Sequence, residues 1–503
     1  MRRISFAVLA LFTAVISVCA QDSSNVSNGA AARFLEQASW GPTPASIQQV
    51  RQHGFAQYLQ SQFSQPPSYY DTNAGATIQA AQRDFFNKAM YGPDQLRQRV
   101  AFALSEIWVI AAPKINDGTA MAAYMDTLLQ DAFTNYTQIM QDVTLNPGMG
   151  HYLDMVNNDK ATNGRSANEN YAREFMQLFT IGETLLNPDG TPQLVNGQTS
   201  VAYTEADVQN LARVFTGWTY PVTPGNPAAL HNPPYWINPM IATESNHDTT
   251  SKTLVGGVVV PAGQTAEQDL ATTLQVFSHH QNLAPFVSRQ LIQHLVTSNP
   301  SLDYMSRVVT AFLNTNGDMK AVITAILLDP EARQGDYGGP TINAGHLREP
   351  LLYILSLLRS LNTTVTLSNN LASNAGQLGQ NLFYAPSVFS YFSPNYRIGQ
   401  LVAPEFQIQS PSTALGRANF VNTMVYGNLG GGTVIDISPY VNLAGDPSAM
   451  INALNVALMH GQMSDAMKSL ILEALSVSGM TNTQIAQAGV YLVASSPQYQ
   501  VEH

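Results

Sequence analysis

The chain has 503 residues, 45% hydrophobic and 11% charged, with 34 acidic against 23 basic side chains and a formal net charge of −11. That surplus of carboxylates, with no Lys/Arg run anywhere, argues against nucleic acid as the main ligand, because neutralising phosphates requires clustered cations. The single cysteine, Cys19, lies in the N-terminal apolar segment, so the rest of the chain has no disulfide, no thiolate nucleophile and no Cys-ligated metal, and must be stabilised by burial.

Met1-Arg2-Arg3 is a basic start, Phe6 to Val18 is almost wholly apolar, and Val18-Cys19-Ala20 offers small residues before Gln21. This is the layout of a secretion signal, and the apolar run is shorter than the roughly 20 residues of a membrane-spanning helix. The expected organisation is a signal over 1–20, a flexible N-terminus over 21–30, and one large helical domain over 31–503 with one or two packed lobes. The expected location is outside the cytoplasm: periplasmic, cell-surface or extracellular. No transmembrane segment is expected once the signal is removed.

Helical periodicity dominates the remainder of the chain. Thr43-Pro44 caps a helix that carries Ile47, Val50, Phe55, Tyr58, Leu59 and Phe63, with Gly54 its weak point. The spacing predicts further helices over 94–110 and 119–145, then over 168–181, 204–216, 264–278, 283–297, 301–314, 318–328, 345–361, 413–425, 448–459, 463–477 and 482–495. Between them lie a polar loop at 157–168 and a Pro/Asn-rich loop at 221–239 that packs through Tyr235 and Trp236. Lys252 to Val260, β-branched around Gly256-Gly257, reads as a small hairpin. The expected fold is mainly α: a large multi-helix globular body with a minor β-hairpin and long ordered loops.

The chain contains no H-E-x-x-H, no G-x-S-x-G, no Walker loop, no G-x-G-x-x-G after a strand and no calcium-loop pattern, so no metal ligand and no cofactor is assigned. The polar residues that invite a chemical reading are few. In Asn168-Glu169-Asn170-Tyr171-Ala172-Arg173-Glu174, Glu169 and Arg173 stand four apart and can pair, while Asn170, Glu174 and Gln177 line an adjacent stripe. Such a face suits acid/base work or the grip of a polar substrate. The plainer reading, a capped helix with one surface ion pair, is favoured on these residues alone. His247, Asp248 and Lys252 fall within six positions of one loop, where His can shuttle a proton and Asp orient it; an ordinary solvated turn is the plainer reading. Glu106 interrupts an apolar helix and is expected either to be buried and paired, with Arg99 one face-repeat back, or to face a cleft; the ion pair is favoured. Thr204-x-x-Asp207 is a capping box, and Gly217 a helix stop.

Several motifs occur together and in order. Arg33-Phe34-Leu35 precedes Trp40-Gly41-Pro42-Thr43-Pro44; then come 168–174, Tyr203-Thr204-Glu205-x-Asp207, Ala212-Arg213, Thr216-Gly217-Trp218 and His247-Asp248-x-x-x-Lys252. His280, Phe286-Val287-x-Arg289, Arg348-Glu349-Pro350 and Pro386-Ser387-Val388-Phe389 complete the set. In these motifs, over about residues 30–420, the chain resembles the bacterial family called domain of unknown function 1800 (DUF1800). Trp40 departs from the family's usual aromatic residue, a matter of packing rather than chemistry. The resemblance implies an exported, mostly helical bacterial protein and implies no particular activity. Members are often encoded beside a second family, DUF1501, with a sulfatase- or phosphatase-like look. Two readings stand at this point. One is a non-catalytic accessory partner of such an envelope-associated DUF1501-type protein. The other is a hydrolase or lyase acting on a cell-surface or extracellular polysaccharide through Glu169 or Glu174 as acid or base, Arg173 as anion grip and His247, with Asp248 and Lys252, in support.

Overall fold

In a computed structural model, described residues cover 26–73, 77–162, 164–337, 345–366 and 369–502. The expected signal and residues 21–25 of the segment 21–30 lie outside them. About 55% of the chain is helical and strands are confined to short hairpins, so the fold is mainly α. Apolar side chains from Val26 to Tyr499 join one buried cluster, so helices distant in sequence share a single core. No helix among the described residues is long and apolar enough to cross a membrane.

Asn28–Ala38 forms the first helix, with Ser27 accepting a hydrogen bond from the Ala30 amide, so Asn28–Ala30 of the segment read as flexible is its first turn. The expected helix from Thr43 is two helices, Pro44–His53 and Phe55–Phe63. Gly54, at φ 78°, turns the chain between them in a conformation that side-chain-bearing residues rarely adopt. The expected helix 119–145 also divides, into Gly118–Asp131 and Tyr136–Leu145. There Asn135 caps the Gln138 amide, and the Tyr136 amide donates to the carbonyl of Gly317, a tertiary bond that periodicity cannot reveal. The hairpin forms as expected, Lys252–Leu254 pairing antiparallel with Val258–Val260. Over 345–361, by contrast, His346–Leu347 is a short strand paired with Val501–Glu502, and the helix begins only at Pro350.

Candidate functional site

The six residues nominated from sequence fall into two groups. Glu169, Arg173 and Glu174 belong to the helix Asn170–Glu174 and its cap. The Arg173 guanidinium is forked onto Glu205 at 2.9 and 3.0 Å and reaches Glu169 at 3.0 Å. These groups are partly to fully exposed, so solvent screens the pairs and they add little to stability. Glu174 is half-buried; desolvation pushes its carboxyl up, and Arg173 pulls it back.

His247 and Lys252 are sealed in the interior, and Asp248 lies at the edge of it, its side chain partly exposed. The His247 ring lies between the Thr216 carbonyl at 2.9 Å from Nδ1 and Asp269 Oδ2 at 3.1 Å from Nε2. Lys252 Nζ donates to the same Asp269 oxygen at 2.6 Å and to the Asp248 carbonyl. The Asp248 carboxylate pairs with Arg213 at 2.8 Å, and that pairing, with bonds from Thr250, outweighs burial and holds its carboxyl well below the usual range. Gly217 lets the loop close: at φ 85°, a Cβ there would sit 2.9 Å from His247. The helix Glu205–Val214 spans both groups, Glu205 at one end and Arg213 near the other. At 1.5 Å per residue those two Cα atoms are about 12 Å apart along its axis, so the partners of the two groups stand toward opposite ends of one helix.

A cleft of about 230 Å³ opens elsewhere. Its floor and walls come from segments far apart in sequence. The helix Gln95–Ile107 brings Glu106. From Leu283–Leu295 come Phe286, Arg289, Gln290, Gln293 and His294, whose three- and four-residue spacing places them on one helix face. The turn Pro404–Ile408 adds Glu405, and Phe389 and Phe392 arrive on a loop. The motif helix also reaches the cleft, because beyond Glu174 it widens into a π-helix over Phe175–Thr180 whose Gln177 and Leu178 line the wall. Single π turns within helices often occur at functional sites. Gly182, at φ 68°, lets Phe286 lie against the backbone; a Cβ there would meet the ring at 2.6 Å.

The cleft is built around buried carboxyls. Burial pushes the Glu106 carboxyl up, and although Glu349, Arg99 and Gln380 counter this, it settles at about 7. Glu349, directly behind it, is driven well above the usual carboxyl range by burial and by Glu106 itself. Gln380 joins the two, donating to Glu106 Oε1 at 3.3 Å and to Glu349 Oε2. At neutral pH the pair therefore retains at least one proton. The His294 ring, 3.2 Å from Glu106, is pushed down to about 4 by burial despite nearby Glu349, so it is neutral. The expected Arg99–Glu106 ion pair does not form as such: Arg99 donates to the His294 carbonyl and acts on Glu106 only through its field. On the other side, Glu405 Oε1 accepts from His346 Nδ1 at 3.1 Å, while its Oε2 has no hydrogen-bond partner. The sequence singles out Glu106, and Glu349 as part of a motif, but not Glu405, Gln380 or the role of His294. The one local signal for His294 is its place on the face shared with Phe286 and Arg289.

A second concavity, lined by Asp126, Asp142 and Trp236, has Asp131 behind it, pushed up to about 8 by burial and by Asp142. Asp131 does not line that concavity, so the carboxyl pair is not presented there.

Comparison with known proteins adds a family and no activity. No curated protein matches the chain, and no solved structure does. The profile of the family described as "Protein of unknown function (DUF1800)" matches residues 33–501, which takes in the cleft and both of the sequence-nominated groups. Residues 33–501 are nearly the whole chain, and on that match it belongs to the DUF1800 family.

Proposed function

We propose that the protein is an acid–base enzyme, a hydrolase or lyase of a cell-surface or extracellular polysaccharide, working in the cleft that holds Glu106 and Glu405. The observation that carries this reading is Glu106: a carboxyl on the wall of an open cleft whose burial leaves it proton-bearing near pH 7. A general acid with a pKa near the working pH both holds its proton and gives it up readily. Glu405 supplies a carboxylate of different environment, tied to His346 and with one oxygen uncommitted. Two carboxyls in contrasting surroundings are the arrangement that divides acid from base or nucleophile. Phe286, Phe389 and Phe392 offer apolar faces for sugar rings. In this reading Glu169, Arg173 and Glu174 shape the entrance through the π-helix that adjoins them, and His247, Asp248 and Lys252 hold the scaffold.

Glu106→Gln keeps the shape and the contact with Gln380 but carries no transferable proton. Turnover of a responsive polysaccharide, monitored as new reducing ends or as the ultraviolet absorbance of an unsaturated product, is expected to fall roughly 10²- to 10⁴-fold with little change in stability. Wild-type activity is expected to decline as pH rises past about 7, where Glu106 loses its proton. If a broad panel of polysaccharides gives no turnover, or Glu106→Gln leaves turnover intact, this reading falls. The accessory reading then takes its place, and co-purification with a DUF1501-type protein is its measurement; the short hairpin that exposes Leu194 and Val195 favours such docking.

An exported enzyme must shed its leader. Expression in a bacterium that secretes it should yield a chain beginning at Gln21, read by terminal sequencing of the periplasmic or medium fraction. Recovery of an intact Met1 form in the cytoplasm would count against export.

A further inference from the structure

Arg289 is the arginine of the cleft wall, and among the described residues no carboxylate forms an ion pair with it. Arg33 and Arg333 pair with Asp336, Arg173 with Glu205, Arg213 with Asp248, Arg307 with Asp329 and Arg348 with Glu36. Arg97, Arg99, Arg359 and Arg417 bond to backbone carbonyls in the interior, and Arg289 differs from them in lining an open cleft. Arg289 has one hydrogen bond, from Nη2 to the Gly190 carbonyl at 2.6 Å. Gly190 is what admits that contact: it sits at φ 79°, and a Cβ there would lie 2.8 Å from Nη2. Burial lowers the affinity of this guanidinium for its proton, and nearby Arg397 lowers it further; Asp189 is the one carboxylate that opposes them. Asp189 is itself committed to the amide and hydroxyl of Thr191, and Arg397 Nη1 to the Gln400 carbonyl. In a chain of net charge −11, Arg289 therefore presents a guanidinium on the wall of an open cleft, with one hydrogen bond to a carbonyl and no ion pair among the described residues. Such a group has donors left to offer an anion.

We infer that the cleft seats an anionic sugar, with the carboxylate or sulfate of an acidic polysaccharide gripped by Arg289. This deepens the acid–base reading and rests on it only for the identity of the cleft as the substrate site. The guanidinium fork matches both oxyanions, and a charge-assisted pair is shorter and stronger than a neutral hydrogen bond. Of the acids around the cleft, the Glu106–Glu349 pair retains at least one proton near neutrality, Glu405 is matched by His346, and Glu183 accepts from Gln177.

Calorimetry of the purified protein with three oligosaccharides of equal length tests this: a galacturonide, a sulfated galactan and a neutral galactan. One acidic probe is expected to bind, and which one it is separates carboxylate from sulfate recognition. Arg289→Gln should weaken that binding roughly ten- to a hundredfold, Arg289→Lys less, with the circular dichroism of both variants unchanged. The inference is overturned if neither acidic probe binds, if the neutral galactan binds as tightly as they do, or if folded Arg289→Gln binds normally. The two readings also fail separately. Loss of acidic-probe binding in Arg289→Gln with normal turnover in Glu106→Gln removes the acid–base role and leaves the anion site. A neutral polysaccharide cleaved by wild type and Arg289→Gln but not by Glu106→Gln does the reverse.

Discussion

Asp269→Asn is expected to cost about 3–5 kcal/mol of stability, the usual consequence of removing one partner from a buried ionic cluster. Asp269 Oδ2 receives both the His247 ring at 3.1 Å and the Lys252 ammonium at 2.6 Å, and all three side chains are sealed from solvent. The amide cannot accept two donors with the strength of a carboxylate, and it leaves a buried ammonium with only the Asp248 carbonyl. Lys252 opens the hairpin Lys252–Leu254, Asp269 lies in the helix Ala266–Ser278, and His247 closes onto Gly217, so three elements loosen together. Equilibrium denaturation of wild type, Asp269→Asn and the double variant Asp269→Leu/Lys252→Met measures the effect. The double variant removes both charges and should regain much of the loss. A single variant as stable as wild type would end the scaffold reading of His247, Asp248 and Lys252 and return them to the catalytic question.

His346→Gln is expected to produce a loss of similar size, and one that depends on pH. The ring is buried with Glu405 3.1 Å from Nδ1 and Glu502 3.5 Å from Nε2. Burial alone would lower its pKa; the two carboxylates more than compensate and raise it to about 10. The folded state thus holds a proton that the unfolded chain releases near about 6.5. Its stabilisation is complete below about pH 6.5 and disappears as pH rises through about 10. At pH 6 the glutamine variant leaves two buried carboxylates without their cation and should lose about 3–5 kcal/mol; near pH 10 the gap to wild type should narrow markedly. Denaturation curves for both proteins at the two pH values give the answer, and a gap independent of pH would refute the imidazolium. Because Glu405 lines the cleft, the same substitution links the strand pairing of Val501–Glu502 to the candidate chemistry.

The local parts of this architecture are legible in the residues themselves. The Thr43 and Thr204 capping boxes and the hairpin around Gly256-Gly257 form as expected, because each is set by backbone preferences and by local hydrogen bonds. The helix expected to stop at Gly217 instead ends at Val214, and the Gly217 amide bonds to the distant Asn158 carbonyl. The same periodicity runs past Gly54 and Asn135, where a left-handed turn and a bond to Gly317 interrupt the helices, and past His346–Leu347, which a partner far along the chain draws into a strand.

The candidate chemistry is less visible, for a related reason. Glu106 is conspicuous as a carboxylate in an apolar helix, and family membership is carried by motifs along the chain. Whether that carboxylate is neutralised by Arg99 or aimed into a cleft beside His294, Glu349 and Glu405 depends on how distant segments pack. The converse holds at His247, Asp248 and Lys252. Their closeness in sequence suggests a reactive loop, yet Asp269, contributed by another helix, closes His247 and Lys252 into a solvent-sealed cluster, while Asp248 turns to Arg213. Composition and periodicity settle the helical class and the lack of cysteine outside the N-terminal segment, since those depend on residue types and short-range spacing. Burial and long-range pairing, which set the protonation state of a carboxyl, exist only once the core has assembled, and it is they that distinguish a proton donor from a structural ion pair.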